Sequence, residues 1–539
     1  MLNRKLLRVF LAIIAVAIVY YSFLYISKQY NGMKRNIYVH FSERNLIYKL
    51  NQLKLVSEEQ YSTAQIERAQ IHYPNLPIRF LLDKKKNKGS LCHSSGKKKS
   101  ISYNKGDIPS RFNISVHSQY WQEYKSINSH FYLYNAYLDN RKDHGYESKI
   151  RIISLLDMTG YYPFFRTKDY CLFWTDLSSN PTISTKPLKL DKIHPFTVLR
   201  DSEYYPYLLT CYVPKDIARK IPIAVSIVSG YEKKSKCYEP SNLLKVNAPL
   251  VKNKKDFAVC VKAYMMNGSQ SAKLVEWIEL LSILGARKIF LYDLDLDSDI
   301  KKLLDYYVKK GIVDLSKTSL PGVPVQAGNE KSEYLKKKLE VRRPDSGIHL
   351  NDCFYRNFQK YEYIANLDID EVIVPRKKGH KWTDIIKYLR KKNKKVSSYI
   401  FPNTYFFDDL PILDPSIDKT IHEIPKTNHM LRHVYRSKRV HLGKCFIRTK
   451  DVKIAGSHFA QACINGGCER YGSNKQGLQY ISESEVAYAA HYRSKCQDLW
   501  FSEKSCNEKF KKENVLDTTL WNFKDELISR TQEILSKMD

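Results

Sequence analysis

With 539 residues, 43% of them hydrophobic, the chain can bury a large core, which excludes a small disulfide-stapled scaffold and suggests two or three domains. Lys and Arg number 89 against 56 Asp and Glu, a formal net charge of +33. The basic residues are scattered along the chain and come with no zinc-finger spacing, RNP-type motif or basic region leading into heptads, so solvated faces account for them better than a nucleic-acid partner.

The first element is the apolar run Val9 to Ile26, broken only by Ser22 among apolar and Tyr positions and preceded by Arg4, Lys5 and Arg8. It is about long enough to cross a hydrocarbon core as a helix. The expectation is a single-pass signal anchor at 9–26 with a cytosolic tail at 1–8 and a luminal body. A cleaved signal peptide ending at Ala15-Val16-Ala17 competes, but the apolar run continues past that point. Two sequons, at Asn113 and Asn267, agree with a lumen, whereas Asn180-Pro181-Thr182 is disqualified by its proline. Eleven cysteines without a C-x-x-C fit disulfides better than zinc, and their odd number leaves one unpaired.

Residues 27–115 are polar and lysine-rich and read as a stem with little core of its own. Between 116 and 250 the periodicity is short and β-like, as in Phe131 to Tyr137, Ile150 to Leu156, Cys171 to Trp174, Tyr207 to Val213 and Ile223 to Val228. Strands without intervening helices predict an antiparallel, sandwich-like module. From Lys255 the rhythm changes. A strand at Phe257 to Tyr264, a helix from Ser269 to Leu284 stopped by Gly285, a strand at Lys288 to Tyr292, a helix from Asp299 to Lys310 and a strand at Ile312 to Leu315 predict βαβ crossovers and a mostly parallel, Rossmann-like sheet in a domain over 251–500. No G-x-G-x-x-G or P-loop pattern accompanies it. Helices at Glu330 to Val341 and His349 to Tyr361, a helix at Trp382 to Lys392, a strand at Ser398 to Phe407, strands near Lys444 to Arg448 and Val452 to His458, and a charged helical tail at 501–539 complete the chain.

The stretch Tyr363 to Pro375 carries the chemistry. Two apolar, partly β-branched runs flank Asp368-x-Asp370-Glu371, the pattern of a buried strand that breaks at its carboxyl end, where ligands of open α/β sheets bind. Residues two apart on a strand share a face, so Asp368 and Asp370 can present oxygens to one hard divalent cation. A strand end capped by acids that bind nothing is the plain alternative. Asp293, Asp295 and Asp297 form a rival cluster whose place before a helix favours capping.

The blocks Leu274-Val275-Glu276-Trp277-Ile278-Glu279, Leu350 to Asn357, Asn366 to Arg376 and His491-Tyr492-Arg493, with Asn135 to Arg141 upstream, together resemble glycosyltransferase family 92. The resemblance implies an α/β, GT-A-like catalytic domain behind an N-terminal transmembrane helix, a Golgi type II membrane protein, a UDP-sugar donor, Mn²⁺ or Mg²⁺, and inverting transfer of β-linked galactose to a glycan acceptor. On that reading Asp370 is the first metal ligand, Asp368 binds metal or ribose, and a late histidine, His491 or His458, completes the set. Arg493 holds phosphate and Asp293 touches uridine or ribose. Inversion needs one general base, for which Asp408 and Asp409, after the strand that follows the D-x-D, are the candidates ahead of Glu423. An inactive, membrane-anchored glycan-binding protein and a metal-dependent nucleotidyl- or phosphotransferase are the alternatives.

Overall fold

The structure, a computed structural model, describes residues 63–81, 116–321, 339–464, Cys468 and 479–538, apart from short internal gaps. The expected anchor at 9–26, both sequon asparagines, Asn113 and Asn267, and Cys92 and Cys237 lie outside the described residues. No helix among the described residues is long and apolar enough to cross a membrane.

Each of the five strand segments read from alternation in 116–250 forms a strand of one ten-stranded sheet. All its pairings are antiparallel except that of Leu244–Asn247 with His130–Asp139. The sheet folds over on itself. The Cys171–Cys211 disulfide ties Tyr170–Trp174 to Tyr204–Tyr212, strands that are not neighbours in the sheet, and Phe131, Ile152, Leu209 and Ile227 fill the space between the two halves. The opposite face carries Tyr132, Tyr137, Ile153 and Leu208, which pack on Cys353, Phe354 and Tyr355 of the helix Leu339–Asn357. The module therefore shares a core with the domain that follows.

Part of the expected stem folds against this module. The helix Thr63–His72 leads into buried Tyr73, Leu76 and Ile78, and the Asn75 side chain donates to the carbonyls of Tyr120 (2.8 Å) and Tyr134 (2.9 Å). A short apolar segment whose one amide is fully engaged can dock without core of its own.

A buried ion cluster in the same module sets a pH dependence. His130 lies between Glu123 (2.6 Å) and Asp157 (3.1 Å). Burial opposes its charge, but the two carboxylates outweigh burial and raise its pKa above 6.5, while Glu123 is pulled down to about 2 against the same burial. The His130 contribution to stability is present below 6.5 and lost as pH rises through the raised value; that of Glu123 is present above 4.5 and lost as pH falls toward 2. Thermal unfolding of His130→Gln compared with wild type should show its largest deficit between about pH 4.5 and 6.5 and a smaller one at pH 9. A deficit independent of pH would show that the cluster acts through packing alone.

The second domain is built on an eleven-stranded sheet whose first half matches the sequence reading. Val313–Lys317, Ala286–Leu296, Lys255–Met266 and Tyr361–Asn366 lie side by side, all parallel. The second half corrects it. His441–Arg448 enters antiparallel beside Tyr361–Asn366, Ser398–Phe407 pairs antiparallel to it, and the sheet is mixed rather than mostly parallel. The physical reason is the order of pairing. A strand from nearly eighty residues later inserts between two that are closer in sequence, which local periodicity does not encode.

The helix expected at His349 to Tyr361 is the second half of a longer one, Leu339–Asn357, which runs through Pro344; residues 330–338 of the other expected helix lie outside the described residues. Burial of its second half overrides the local break: the Cys260–Cys353 disulfide pins it to the central strand, and Asp352 accepts from Asn135, Tyr137, Tyr292 and Arg356. Residues 514–535 are integral to this domain. Asn514–Leu516 extends the sheet edge, and Leu527 and Ile534 of the helix Lys524–Leu535 belong to the main core. Among the described residues Cys171–Cys211, Cys260–Cys353, Cys463–Cys468 and Cys496–Cys506 are paired and Cys445 is a buried thiol, its pKa pushed up to about 12 by burial.

Candidate active site

The acidic stretch is two strands and a corner. Tyr361–Asn366 ends, Leu367 to Asp370 turn, and Glu371–Pro375 restarts antiparallel to Ala487–Arg493. Asp368 and Asp370 thus sit on the turn, not two apart on one strand as expected, because the chain leaves the sheet there. The turn is held from several sides. The Glu371 amide donates to the Asp368 carbonyl (3.0 Å), the Asp368 amide to Glu371 Oε2 (3.0 Å), the Tyr492 amide to the Asp370 carbonyl (2.8 Å) and the Trp277 indole to the Glu371 carbonyl (2.8 Å). The register of Ala487–Arg493 places His491 opposite Glu371 on one side and Tyr405 on the other.

The result is a cavity of about 590 Å³, in the range of small-ligand sites. Asp368 and Asp370 line it with His491, Tyr492 and Arg493, and Lys262, Tyr264, Lys273, Glu276 and His429 are also in the wall. The two acids, His491 and Arg493 are therefore brought together as the sequence reading required.

Electrostatics separate the acids. Asp368 Oδ1 accepts from the Tyr264 hydroxyl (3.0 Å) and faces Lys262 Nζ (3.1 Å), with Lys444 Nζ 3.6 Å from Oδ2. Burial pushes its pKa up, but Lys262 and Lys444 outweigh it and hold the carboxyl well below the usual range. Asp370 Oδ2 meets His491 Nε2 at 3.2 Å while its side chain stays 45% exposed to the cavity. His491 Nδ1 lies 3.3 Å from Glu371 Oε1. Burial opposes charge on this ring, yet the two flanking carboxylates raise its pKa, and His491 in turn lowers that of Asp370 against the same burial. Glu371 is buried and bridges Lys444 (2.8 Å) to His491.

These residues suit a hard divalent cation. Asp370 and His491 present an oxygen and a nitrogen at ligand-to-ligand distance, and Glu371 fixes the ring from its other nitrogen, as supporting acids do for metal-bound histidines. Asp368 is the less exposed donor, screened by Lys262. His458 is not part of the wall. Its Nδ1 donates to the Gly443 carbonyl (3.0 Å), and burial, with Lys444 nearby, pulls its pKa down to about 3.

The remaining expected residues lie elsewhere. Asp293 accepts from the Leu296 amide (3.0 Å) with Lys301 3.5 Å away, and Asp297 caps the helix Ser298–Lys309 through the Ile300 amide (3.0 Å). Asp408 stands behind the wall against His429 (2.8 Å), Asp409 pairs with Lys511, and Glu423 is exposed at a helix end. Tyr264, Lys444 and His429 had no signal of their own in the sequence. Glu276 lies in the Leu274 to Glu279 block, and its role is positional. Both its oxygens accept from the Met430 amide and Oε1 also from the Leu431 amide, tying the helix Ser271–Leu284 to the turn that carries His429.

Residues 255–531, just over half of the chain, match the model of glycosyltransferase family 92. A β-1,4-galactosyltransferase of Caenorhabditis elegans, galt-1, is 21% identical over 262 residues, 48% of this chain and 54% of that protein. The chain thus spans about half the length of the curated relative it matches. Among solved structures, a mycobacterial protein is 12% identical with a TM-score of 0.22 over 53% of this chain and 74% of its own. The galactosyltransferase LgtC, solved with donor and acceptor sugar analogues, is 11% identical with a TM-score of 0.16 over 36% and 58%. Likenesses this low carry no weight in the argument, whereas the family match covers every strand of the mixed sheet and the whole cavity wall. The chain belongs to glycosyltransferase family 92.

Proposed function

We propose that the protein transfers a hexose, galactose first among candidates, from a UDP-sugar to a glycan acceptor with inversion and with a divalent cation at Asp370, His491 and Asp368. The observation that carries this reading is the meeting of Asp370 Oδ2 and His491 Nε2 on the wall of a cavity that also holds Lys262, Lys273 and Arg493. A donor set for a hard cation stands beside three cationic side chains, the complement of a diphosphate. The C. elegans relative, named as a galactosyltransferase, favours the sugar. Four disulfides support an oxidising compartment, as a Golgi lumen is. The anchor at 9–26 belongs to the same reading.

Bound there, Mn²⁺ or Mg²⁺ supplies Lewis-acid neutralisation of the charge that grows on the departing diphosphate. The chain's own residues do the rest. Lys262, 40% exposed on a flexible stem, turns from Asp368 to phosphate, and Arg493 offers a planar fork of donors. Glu371 keeps the His491 ring oriented, and Trp277 keeps the turn from drifting. Asp408 lies against His429 and Asp409 against Lys511, and neither expected base is among the residues that line the cavity.

The full chain should release UDP from a UDP-hexose in the presence of Mn²⁺, faster with a fucosylated glycan acceptor. Release of UMP, or no turnover with any UDP-sugar, would sink the transferase reading.

A further inference from the structure

We infer that Asp408, His429 and His433 form a second metal site, selective for Zn²⁺, that ties the wall of the cavity together. Their ligand atoms all lie within 4.8 Å of one another. His429 Nε2 is 2.8 Å and His433 Nε2 3.5 Å from the same oxygen, Asp408 Oδ1. Around a tetrahedral zinc with bonds of about 2.0–2.1 Å, neighbouring ligand atoms stand about 3.3 Å apart, so both nitrogen-to-Asp408 distances lie within about half an ångström of what the ion needs.

The proton count points the same way. His433 Nδ1 is 2.6 Å from the His429 carbonyl, an acceptor only, so Nδ1 carries the hydrogen. In the neutral ring Nε2 then carries a lone pair 3.5 Å from a carboxylate oxygen, an unfavourable approach that a cation between them converts into two bonds. His429 and Asp408 share one proton, which zinc displaces to solvent on binding.

The setting is built for rigidity. Asp408 follows the strand Ser398–Phe407, and its amide donates to the Arg493 carbonyl (3.0 Å), one residue beyond Tyr492. His429 opens the helix His429–Arg432 and His433 closes it, a His-x-x-x-His spacing that brings both rings to one side, with centroids 4.3 Å apart. The helix amides are anchored by Glu276, and all three ligands are partly buried. Two imidazoles and one carboxylate suit zinc, whereas the two acids with one imidazole on the cavity wall suit a harder ion. Three protein ligands leave a fourth position for water or a substrate hydroxyl. Lys273, on the cavity wall, is a cation close enough to oppose the ion, and it lowers the pKa of both Asp408 and His433.

The test is a zinc titration of the chelator-stripped full chain carrying Asp370→Asn, which removes the other carboxylate with a metal-binding histidine, read by competition with a chromophoric chelator. One equivalent of Zn²⁺ is expected, with release of one proton, and His433→Ala or His429→Ala should weaken it at least tenfold. Absence of saturable zinc, or zinc indifferent to both histidines, overturns the site and leaves Asp408 and His429 as a proton-accepting pair. Should the variants fold poorly, crystals of the unaltered protein soaked in Zn²⁺ decide it. An anomalous peak between Asp408 Oδ1 and the two Nε2 atoms supports the site, and a peak at Asp370 alone overturns it. None of these readouts depends on sugar transfer.

Discussion

Asp370→Asn should lower the Mn²⁺-dependent turnover of UDP-sugar by about 10²- to 10³-fold, the usual cost of removing one group that stabilises transition-state charge. The substitution keeps the shape of the side chain and its ability to accept a hydrogen bond, so what disappears is the negative charge. Two consequences follow from the geometry. The Asp370 side chain is 45% exposed and its backbone carbonyl, not its carboxylate, accepts from Tyr492, so the thermal midpoint should barely move. His491 keeps Glu371 at its other nitrogen and stays in place, so raising Mn²⁺ should restore part of the lost rate. Asp368→Asn makes a poorer probe. That carboxylate balances Lys262 and the buried Lys444, and its loss mixes a change in charge on the cavity wall with a change in stability. Steady-state rates at several Mn²⁺ concentrations, alongside thermal unfolding, check the expectation. Turnover equal to wild type at every Mn²⁺ concentration would remove Asp370 from the chemistry.

What the sequence made legible was whatever depends on neighbours along the chain. The helix Trp382–Lys392 and the strand Ser398–Phe407 form over the residues that their periodicity marks, and Gly285, with φ of 113°, stops the helix Ser271–Leu284 as expected. The clustering of Asp368, Asp370 and Glu371 was readable for the same reason, and so was a late His-Tyr-Arg. What could not be read was how strands far apart in sequence pair. The insertion of His441–Arg448 between Tyr361–Asn366 and Ser398–Phe407 makes the sheet mixed, and it alone delivers Lys444 beneath the acidic turn. Likewise the sequence suggests a general base among the acids at a strand end. Asp408 is at that end, but the turn carrying His429 and His433, fastened by Glu276 from another helix, covers it. The docking of residues 63–81 on the β-rich module leaves no periodic signal because its apolar part is short and its anchor is a single asparagine, Asn75.

Lys444→Met should cost the protein about 3–5 kcal/mol, the range for removing one partner of a buried ion pair. The Lys444 ammonium is 3% exposed, 2.8 Å from Glu371 Oε2 and 3.6 Å from Asp368 Oδ2. Met fills nearly the same volume, so the loss is one of charge and not of packing, and it leaves Glu371, itself 2% exposed, without its cation. The midpoint of thermal unfolding should fall by roughly 10 °C at neutral pH. The sign of the pH dependence is set by Asp368. Its pKa is depressed by Lys262 and Lys444 against burial, so its contribution is present above 3.8 and lost as pH falls through the depressed value. The difference between wild type and variant should therefore narrow in acid. A second cation should also substitute for the first. With the ammonium gone, the acidic turn is more negative, and Mn²⁺ should raise the unfolding temperature of Lys444→Met more than that of wild type. Pairing the change with Glu371→Leu should recover much of the stability, since two apolar side chains leave no buried charge unmatched. If the single variant unfolds at the wild-type temperature, Lys444 does not hold the acidic turn, and the register of Ala487–Arg493 against Glu371–Pro375 must position Asp370 and His491 without it.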